Sequence, residues 1–358
     1  MTLAVVRNMG SPRRLRSEQE AEDFEQEIVD QYALSMAAAG LTDGHIAASR
    51  AAVVEFVRFL GRPAWTASAD DADRYLLDLR RRRQSKSTVY TKATFLARFF
   101  EFLVARYQGD IHALTGYVVE QPIDEYNKPS CPAYGTPRVP PCDEEVEGLF
   151  EQWGRSLTTT RKYLPAARDY FAASLWRRLG LRINETVMLD IRDWRPDLGE
   201  HGKVHVRYGK GSGGRGPKSR LVPAINSADV LIDWWLAEVR HQFDGVWADP
   251  EAPILPSERR AGDRCGRVGA DALRSGLAAA TGRWLPAWEG RLTPHVLRHY
   301  CASSLYARGV DLKAVQELLG HEWLSTTTRY VHVHSDHIDR AWAEANTRVE
   351  ARIADREG

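Results

Sequence analysis

Only four cysteines occur in 358 residues, Cys131, Cys142, Cys265 and Cys301, and no two of them form a Cys-x-x-Cys pair. That count and spacing exclude a disulfide framework and argue against a structural zinc site; they predict free thiols in a reducing cytoplasm. Long apolar runs are missing as well. Nothing approaches the roughly 18 residues of a membrane span, and Leu3 to Val6 is too short for the apolar centre of a secretion signal. Net charge is almost absent, at +1 from 49 basic and 48 acidic side chains, so the overall balance names no partner. At about 150 residues per domain the length predicts roughly two domains, which excludes a single small fold.

The charge that is present is segregated. Glu18 to Asp30 is acidic, whereas Arg80, Arg81, Arg82, Arg83, Lys86, Lys92 and Arg98 follow one another with no carboxylate among them. Lys203, Arg207, Lys210, Arg215, Lys218 and Arg220 form a second acid-free stretch. A single basic run can equally be a solvated face, but one in each half of the chain predicts a polyanion held between two domains.

Residues 1–20 lack periodicity and read as a disordered tail. Apolar stripes then predict four helices within 21–115: Phe24, Ile28 and Tyr32; Ile46, Val53, Val57 and Leu60, stopped by Gly61; Tyr75, Leu76 and Leu79; and Leu96, Phe99 and Leu103. Six prolines between Pro122 and Pro141 puncture residues 116–142, which read as an extended linker. Asp143 is a natural N-cap for a stripe of Val146, Leu149, Phe150 and Trp153, so a second domain is predicted over 143–335. Within it Val204, Val206 and Tyr208 alternate before a glycine-rich basic segment and Leu221-Val222, the pattern of a β-hairpin with a long tip. Leu312, Val315, Leu318 and Leu319 make a helical stripe closed by Gly320, and Ile338, Trp342, Ala345, Val349 and Ile353 stripe a terminal helix over 336–358. The fold class is mainly α with a small β-sheet.

Some motif fragments lead nowhere. Gly209, Gly211 and Gly214 fit a dinucleotide fingerprint, but a second strand follows them where a helix is required, and Pro217 breaks the adjacency a phosphate loop needs. His295 and His299 could share a helix face as metal ligands, and His321-Glu322 begins a zincin box whose second histidine is replaced by Ser325. Neither amounts to a ligand set, and no metal is predicted.

A different set converges. Arg182 precedes Glu185 by three residues, His295 and Arg298 share the same spacing, and His321 stands nine residues before Tyr330. Two arginines, a hairpin lysine, two histidines and a late tyrosine suffice for phosphodiester transesterification without a cofactor. Planar guanidiniums pair with the non-bridging oxygens, the tyrosine attacks phosphorus, and histidine and lysine move the protons. Ser325 to Thr328 form a helix-start signal that puts Tyr330 in the first turn of a short helix.

With GLRINETVMLDI from Gly180, VRYGKG from Val206, LTPHVLRHYCASSLYARG from Leu292 and LGHEWLSTTTRYVHV from Leu319, the sequence resembles the tyrosine recombinase (phage integrase) family in its Xer-like, two-domain form. The resemblance is dense from about Asp143 to His334. It implies an N-terminal four-helix core-binding (SAM-like) DNA-binding domain and a C-terminal catalytic domain. It further implies that Arg182 and Arg298 stabilise the transition state, that Tyr330 forms a 3′-phosphotyrosyl bond, and that His295 and His321 assist proton transfer and hold the scissile phosphate. Lys210 would be the general acid, Glu185 would orient the pocket and His299 would complete its box. Ser212 to Pro217 lengthen the hairpin tip relative to the family pattern, which leaves Lys218 as the alternative acid.

From the same resemblance follow a site-specific recombinase or integrase of a mobile element or chromosome, independent of metal and ATP and located in the cytoplasm with the nucleoid. Its expected partners are double-stranded DNA with an inverted-repeat core site, a homotetramer on synapsed DNA joined through residues 336–358, and accessory directionality proteins. Arg80, Arg81, Arg82, Arg83, Lys86, Lys92, Arg215 and Arg220 are the expected phosphate contacts. The short stretch before the first helix argues against a separate arm-type DNA-binding domain. A type IB topoisomerase-like enzyme and a DNA-binding protein that no longer cuts are the rival readings.

Overall fold

Four of the first five helices begin on a hydroxyl. Ser17, Thr42, Ser68 and Ser85 each accept a backbone N–H from the first turn, at 3.1–3.4 Å. They open α1 (Glu18–Ala38), α2 (Asp43–Leu60), α3 (Ala69–Arg81) and α4 (Lys86–Arg106), and α5 (Gln108–Thr115) follows directly. At Ser68 the cap is reciprocal, because Asp71 returns a carboxylate to the Ser68 N–H at 2.9 Å. Gly61 and Gly116 end α2 and α5 in the left-handed conformation. The computed structural model describes residues 15, 17–130, 139–209, 216 and 218–320, which fall into two compact units.

The first unit packs these helices around Tyr32, Phe56, Tyr75, Phe99 and Phe100, whose rings meet edge to face at 5.1–6.1 Å. The predicted first helix starts earlier than its apolar stripe, at Glu18, because its first turn is exposed and acidic. The core also reaches past α5. Val119 and Ile123 are buried in it and Gln121 donates to the Ala97 carbonyl at 3.0 Å, so the chain expected to be extended from 116 is packed as far as Ile123.

The second unit is built on α7 (Tyr163–Leu179), a helix buried nearly all round, with Phe171 stacked flat on Trp235 at 4.8 Å. Against it lie α6 (Asp143–Ser156), α9 (Ala228–Trp234), α10 (Ala270–Trp284) and α11 (Pro294–Ala307). The five-residue α8 (Ile183–Val187) follows α7, and α12 (Leu312–Leu319) follows α11. Strands β1 (Trp194–Arg195), β2 (Lys203–Gly209) and β3 (Lys218–Pro223) form an antiparallel sheet in sequence order, with Val204 opposite Val222 and Val206 opposite Arg220. A separate hairpin, β4 (Pro256–Ala261) with β5 (Arg264–Arg267), was not visible in the sequence. No described helix is long and apolar enough to cross a membrane.

Candidate active site

Helix α7 stops at Gly180, which adopts φ +61° and turns the chain so that Arg182 becomes the N-cap of α8. Glu185, the third residue of that short helix, folds back on it. One carboxylate oxygen accepts the Arg182 backbone N–H at 2.9 Å and the other accepts Arg182 Nη1 at 2.7 Å. The three-residue spacing read as a shared helix face is thus the carboxylate half of a capping box, and it pins the arginine at both its backbone and its tip. Arg182 keeps 28% of its side chain exposed above a Glu185 side chain that is 1% exposed.

Arg298 comes from α11, which Thr293 caps and Pro294 opens. Its side chain is 1% exposed. Nη1 donates to the Gly180 carbonyl at 2.5 Å, Nη2 to the Leu319 carbonyl at 2.6 Å, and the guanidinium lies 3.9 Å from Glu185. Two motifs far apart in sequence therefore converge on one carboxylate. On the same helix His295 is exposed and His299 buried, their rings 4.7 Å apart and nearly perpendicular.

A third guanidinium completes the cluster. Arg220, expected among the outward phosphate contacts, turns inward from β3 and grips both oxygens of Glu185 at 3.0 and 2.8 Å. Nothing local announces this, because its partner lies 35 residues back in the chain. Burial pushes the Glu185 carboxyl up, but the hydrogen bonds and charge of Arg220, and then Arg182, outweigh it and hold the group down at about 2. Among the described residues one carboxylate thus faces three guanidiniums, which leaves their charge in excess in a poorly hydrated pocket. That arrangement suits an oxyanion whose charge grows during reaction.

A second network braces the floor. Arg207 on β2 forks onto Asp193 at 2.7 and 3.0 Å and also bonds Asp190, which Arg267 holds from the other side. Arg267 Nη1 ties this to the chain below α8 through the Val187 and Leu189 carbonyls at 2.6 and 3.0 Å. Arg207, read as part of a basic stretch, is therefore a partly buried structural cation paired to two buried carboxylates. Its pKa is raised by its bonds to Asp193 and then Asp190.

Lys218 stands exposed at the start of β3, opposite Gly209. Lys210, Arg215, His321, Tyr330 and the expected terminal helix lie outside the described residues. In the first unit Arg80, Arg81, Arg83 and Lys86 are exposed around the α3–α4 turn. Lys92 and Arg82 are not free of carboxylates as the sequence suggested: Glu55 of α2 pairs with Lys92 at 2.6 Å, and Asp78 with Arg82 at 2.6 Å.

Three guanidiniums gathered on a buried carboxylate beside a β-hairpin, in a mainly helical unit, make a site suited to an oxyanion. Comparison with known proteins narrows this. The model of the phage integrase family matches residues 150–337. Over 301 residues the chain is 31% identical to tyrosine recombinase XerC of Herpetosiphon aurantiacus, covering 83% of this chain and 87% of the relative. It is 29% identical to tyrosine recombinase XerD of Rhizobium meliloti, covering 78% and 80%. The fold resembles the Tn1549 transposon integrase in complex with transposon right end DNA, with a TM-score of 0.62 at 18% identity over 89% of this chain and 98% of that one. It also resembles a lambda integrase dimer bound to a COC′ core site, with a TM-score of 0.62 at 15% identity over 87% and 96%. The chain belongs to the phage integrase family and is a site-specific tyrosine recombinase of Xer-like type, a DNA strand-exchange enzyme.

Proposed function

We propose that this recombinase cuts and rejoins duplex DNA through Tyr330. The observation that carries the reading is the convergence of Arg182 and Arg298 on Glu185. In the reaction the Tyr330 hydroxyl attacks the scissile phosphorus, a P–Oη bond forms and the bond from phosphorus to the 5′ oxygen breaks. His295 and His321 manage the tyrosine proton and hold the phosphate. Lys210, or Lys218 in its place, delivers a proton to the departing 5′ oxygen. Arg182 and Arg298 bear the charge that builds on the non-bridging oxygens. The 3′-phosphotyrosyl ester conserves the energy of the original bond, so rejoining runs the same steps backwards with no need for ATP or a metal ion.

The same reading assigns the exposed Arg80, Arg81, Arg83 and Lys86 to DNA phosphates, with Arg215 on the hairpin. It gives the enzyme a core site with inverted repeats, a homotetrameric synapse and a cytoplasmic, nucleoid-associated setting, in the service of a mobile element or chromosome. A lambda integrase tetramer bound to a Holliday junction is among the solved structures with this fold, at a TM-score of 0.61, which supports a tetramer of this chain. Accessory proteins would set direction.

The test is a nicked suicide duplex taken from DNA beside the gene, incubated with enzyme in chelator. A covalent adduct mapped to Tyr330 and absent from Tyr330→Phe is the expected result. An adduct on another residue, or cleavage that needs added metal, overturns the reading.

A further inference from the structure

The last carbonyls of an α-helix have no partner within it. At the end of α12 three consecutive carbonyls each receive a different arginine: Leu318 from Arg220 Nε at 3.1 Å, Leu319 from Arg298 at 2.6 Å and Gly320 from Arg182 at 3.5 Å. His321 is the next residue. The arginines that converge on Glu185 also cap the helix that leads into the second histidine and then the tyrosine.

Of the three, Arg220 alone has no role in the chemistry set out above, yet it is the most fully committed. Both terminal nitrogens are spent on Glu185 and Nε on Leu318, its side chain is 14% exposed, and its stem lies so close to Gly320 that a Cβ there would stand 2.9 Å from Arg220 Cδ. It is carried on the return strand of the hairpin. Two residues before it Lys218 pairs with Gly209, where a Cβ would stand 2.4 Å from the Lys218 carbonyl oxygen. Arg220 opposite Val206 and Lys218 opposite Gly209 are the last two pairs of the hairpin, with a register shift between them, so Arg220 anchors β3 one pair short of its described end.

We propose that Arg220 is a positioning residue that locks the lysine-bearing hairpin to the α12 terminus, so that proton delivery to the 5′ oxygen is aligned with the histidine–tyrosine segment. This rests on the reading of a hairpin lysine as general acid. A lysine at 220 keeps the charge but lacks the fork that spans both Glu185 oxygens while Nε reaches Leu318, so exchange of one basic group for the other is not neutral here.

The experiment compares single-turnover cleavage of two suicide duplexes, one with oxygen and one with sulfur at the bridging 5′ position. A thiolate departs without a proton, since thiols ionise near about 8.5. Arg220→Lys and Arg220→Gln should each cut the oxygen substrate about a hundredfold more slowly than wild type, the scale of general-acid catalysis. Both should return to within a few-fold of wild type on sulfur. Both rates come from one preparation, so loss of folded enzyme cancels in their ratio. A sulfur-to-oxygen ratio equal to that of wild type, or variants that no longer bind the duplex, assigns Arg220 to the fold alone and overturns the proposal.

Lys210→Ala and Lys218→Ala run alongside them. If neither shows sulfur rescue, the lysine reading fails, whatever the Arg220 ratios are. If one lysine variant is rescued and the Arg220 variants are not, only the positioning role fails.

Discussion

Gly180 and Arg298 are joined by a buried hydrogen bond in which the guanidinium donates to the carbonyl that ends α7. The glycine is required at this point for two reasons. It sits at φ +61°, and a Cβ on it would stand 2.5 Å from Leu319 Cδ2 and 3.3 Å from Cys301 Sγ. The turn that releases the chain toward Arg182 thus also supplies an acceptor for the second arginine.

Gly180→Ala should destabilise the protein by about 2 kcal/mol or more, since a left-handed residue gains a methyl against a packed leucine. Cleavage measured on the protein that remains folded should drop further than DNA binding does, because the displaced carbonyl frees Arg298. Thermal melting, filter binding and single-turnover cleavage measured together check this. Equal loss of binding and cleavage would contradict it.

Glu185→Gln removes the carboxylate that, among the described residues, faces all three arginines, and should cost about 3–5 kcal/mol near neutral pH, the scale of breaking a buried pair. The pH dependence has a definite sign. The folded-state value, about 2, lies below the ordinary 4.5, so the carboxylate stabilises the fold fully above pH 4.5. That contribution, about 3 kcal/mol, is lost as pH falls from 4.5 toward 2. Urea midpoints for the two proteins should therefore approach each other between pH 5 and 3. A gap that stays constant over that interval would rule this account out.

Arg207→Met strips the fork from Asp193 and one partner from Asp190, both buried. The expected loss is about 3–5 kcal/mol. Arg155→Met, which breaks the exposed pair of Arg155 with Glu151, should change stability by less than about 1 kcal/mol. Urea titration followed by tryptophan fluorescence distinguishes the two, and comparable effects would show that the Asp190–Asp193 network carries no special weight.

The described cysteines should differ sharply in reactivity. Cys142 is exposed, whereas Cys265 and Cys301 are buried, and burial pushes the Cys301 thiol up to about 12. Iodoacetamide at neutral pH should label Cys142 in the native protein and modify Cys301 roughly a hundredfold more slowly or less, until denaturant is added. Peptide mass mapping over time reads this out directly.

Much of this architecture was legible because local rules and tertiary structure agree. The stripe of α2 ends at Gly61, where glycine says it should. The alternation of Val204 and Val206 against Val222 gives the observed strand pairing, and Gly320 stops α12. Helix α7 left no stripe to read, because Phe171, Ala172, Ala173, Leu175 and Trp176 are buried on successive faces. The β4–β5 hairpin is written in charged residues, SERRA and RCGR, that carry no strand signal. In the site, Arg182, Glu185 and Arg298 could be found from spacing within each motif. The inward turn of Arg220 and the pairing of Lys92 with Glu55 depend on residues brought in from other elements, and a charge run reports only its own segment.

The seating of Val119 and Ile123 bears on how the molecule can be dissected. A fragment cut at Thr115, where the helices stop, would leave two empty apolar sockets in the first unit, each worth about 1.5–3 kcal/mol, and strand the Ala97 carbonyl that Gln121 serves. Extending the fragment to Lys128 retains both plugs and the turn in which Asn127 donates to the Pro122 carbonyl. The shortest self-sufficient piece of the amino-terminal half is therefore set by a stretch with no regular secondary structure.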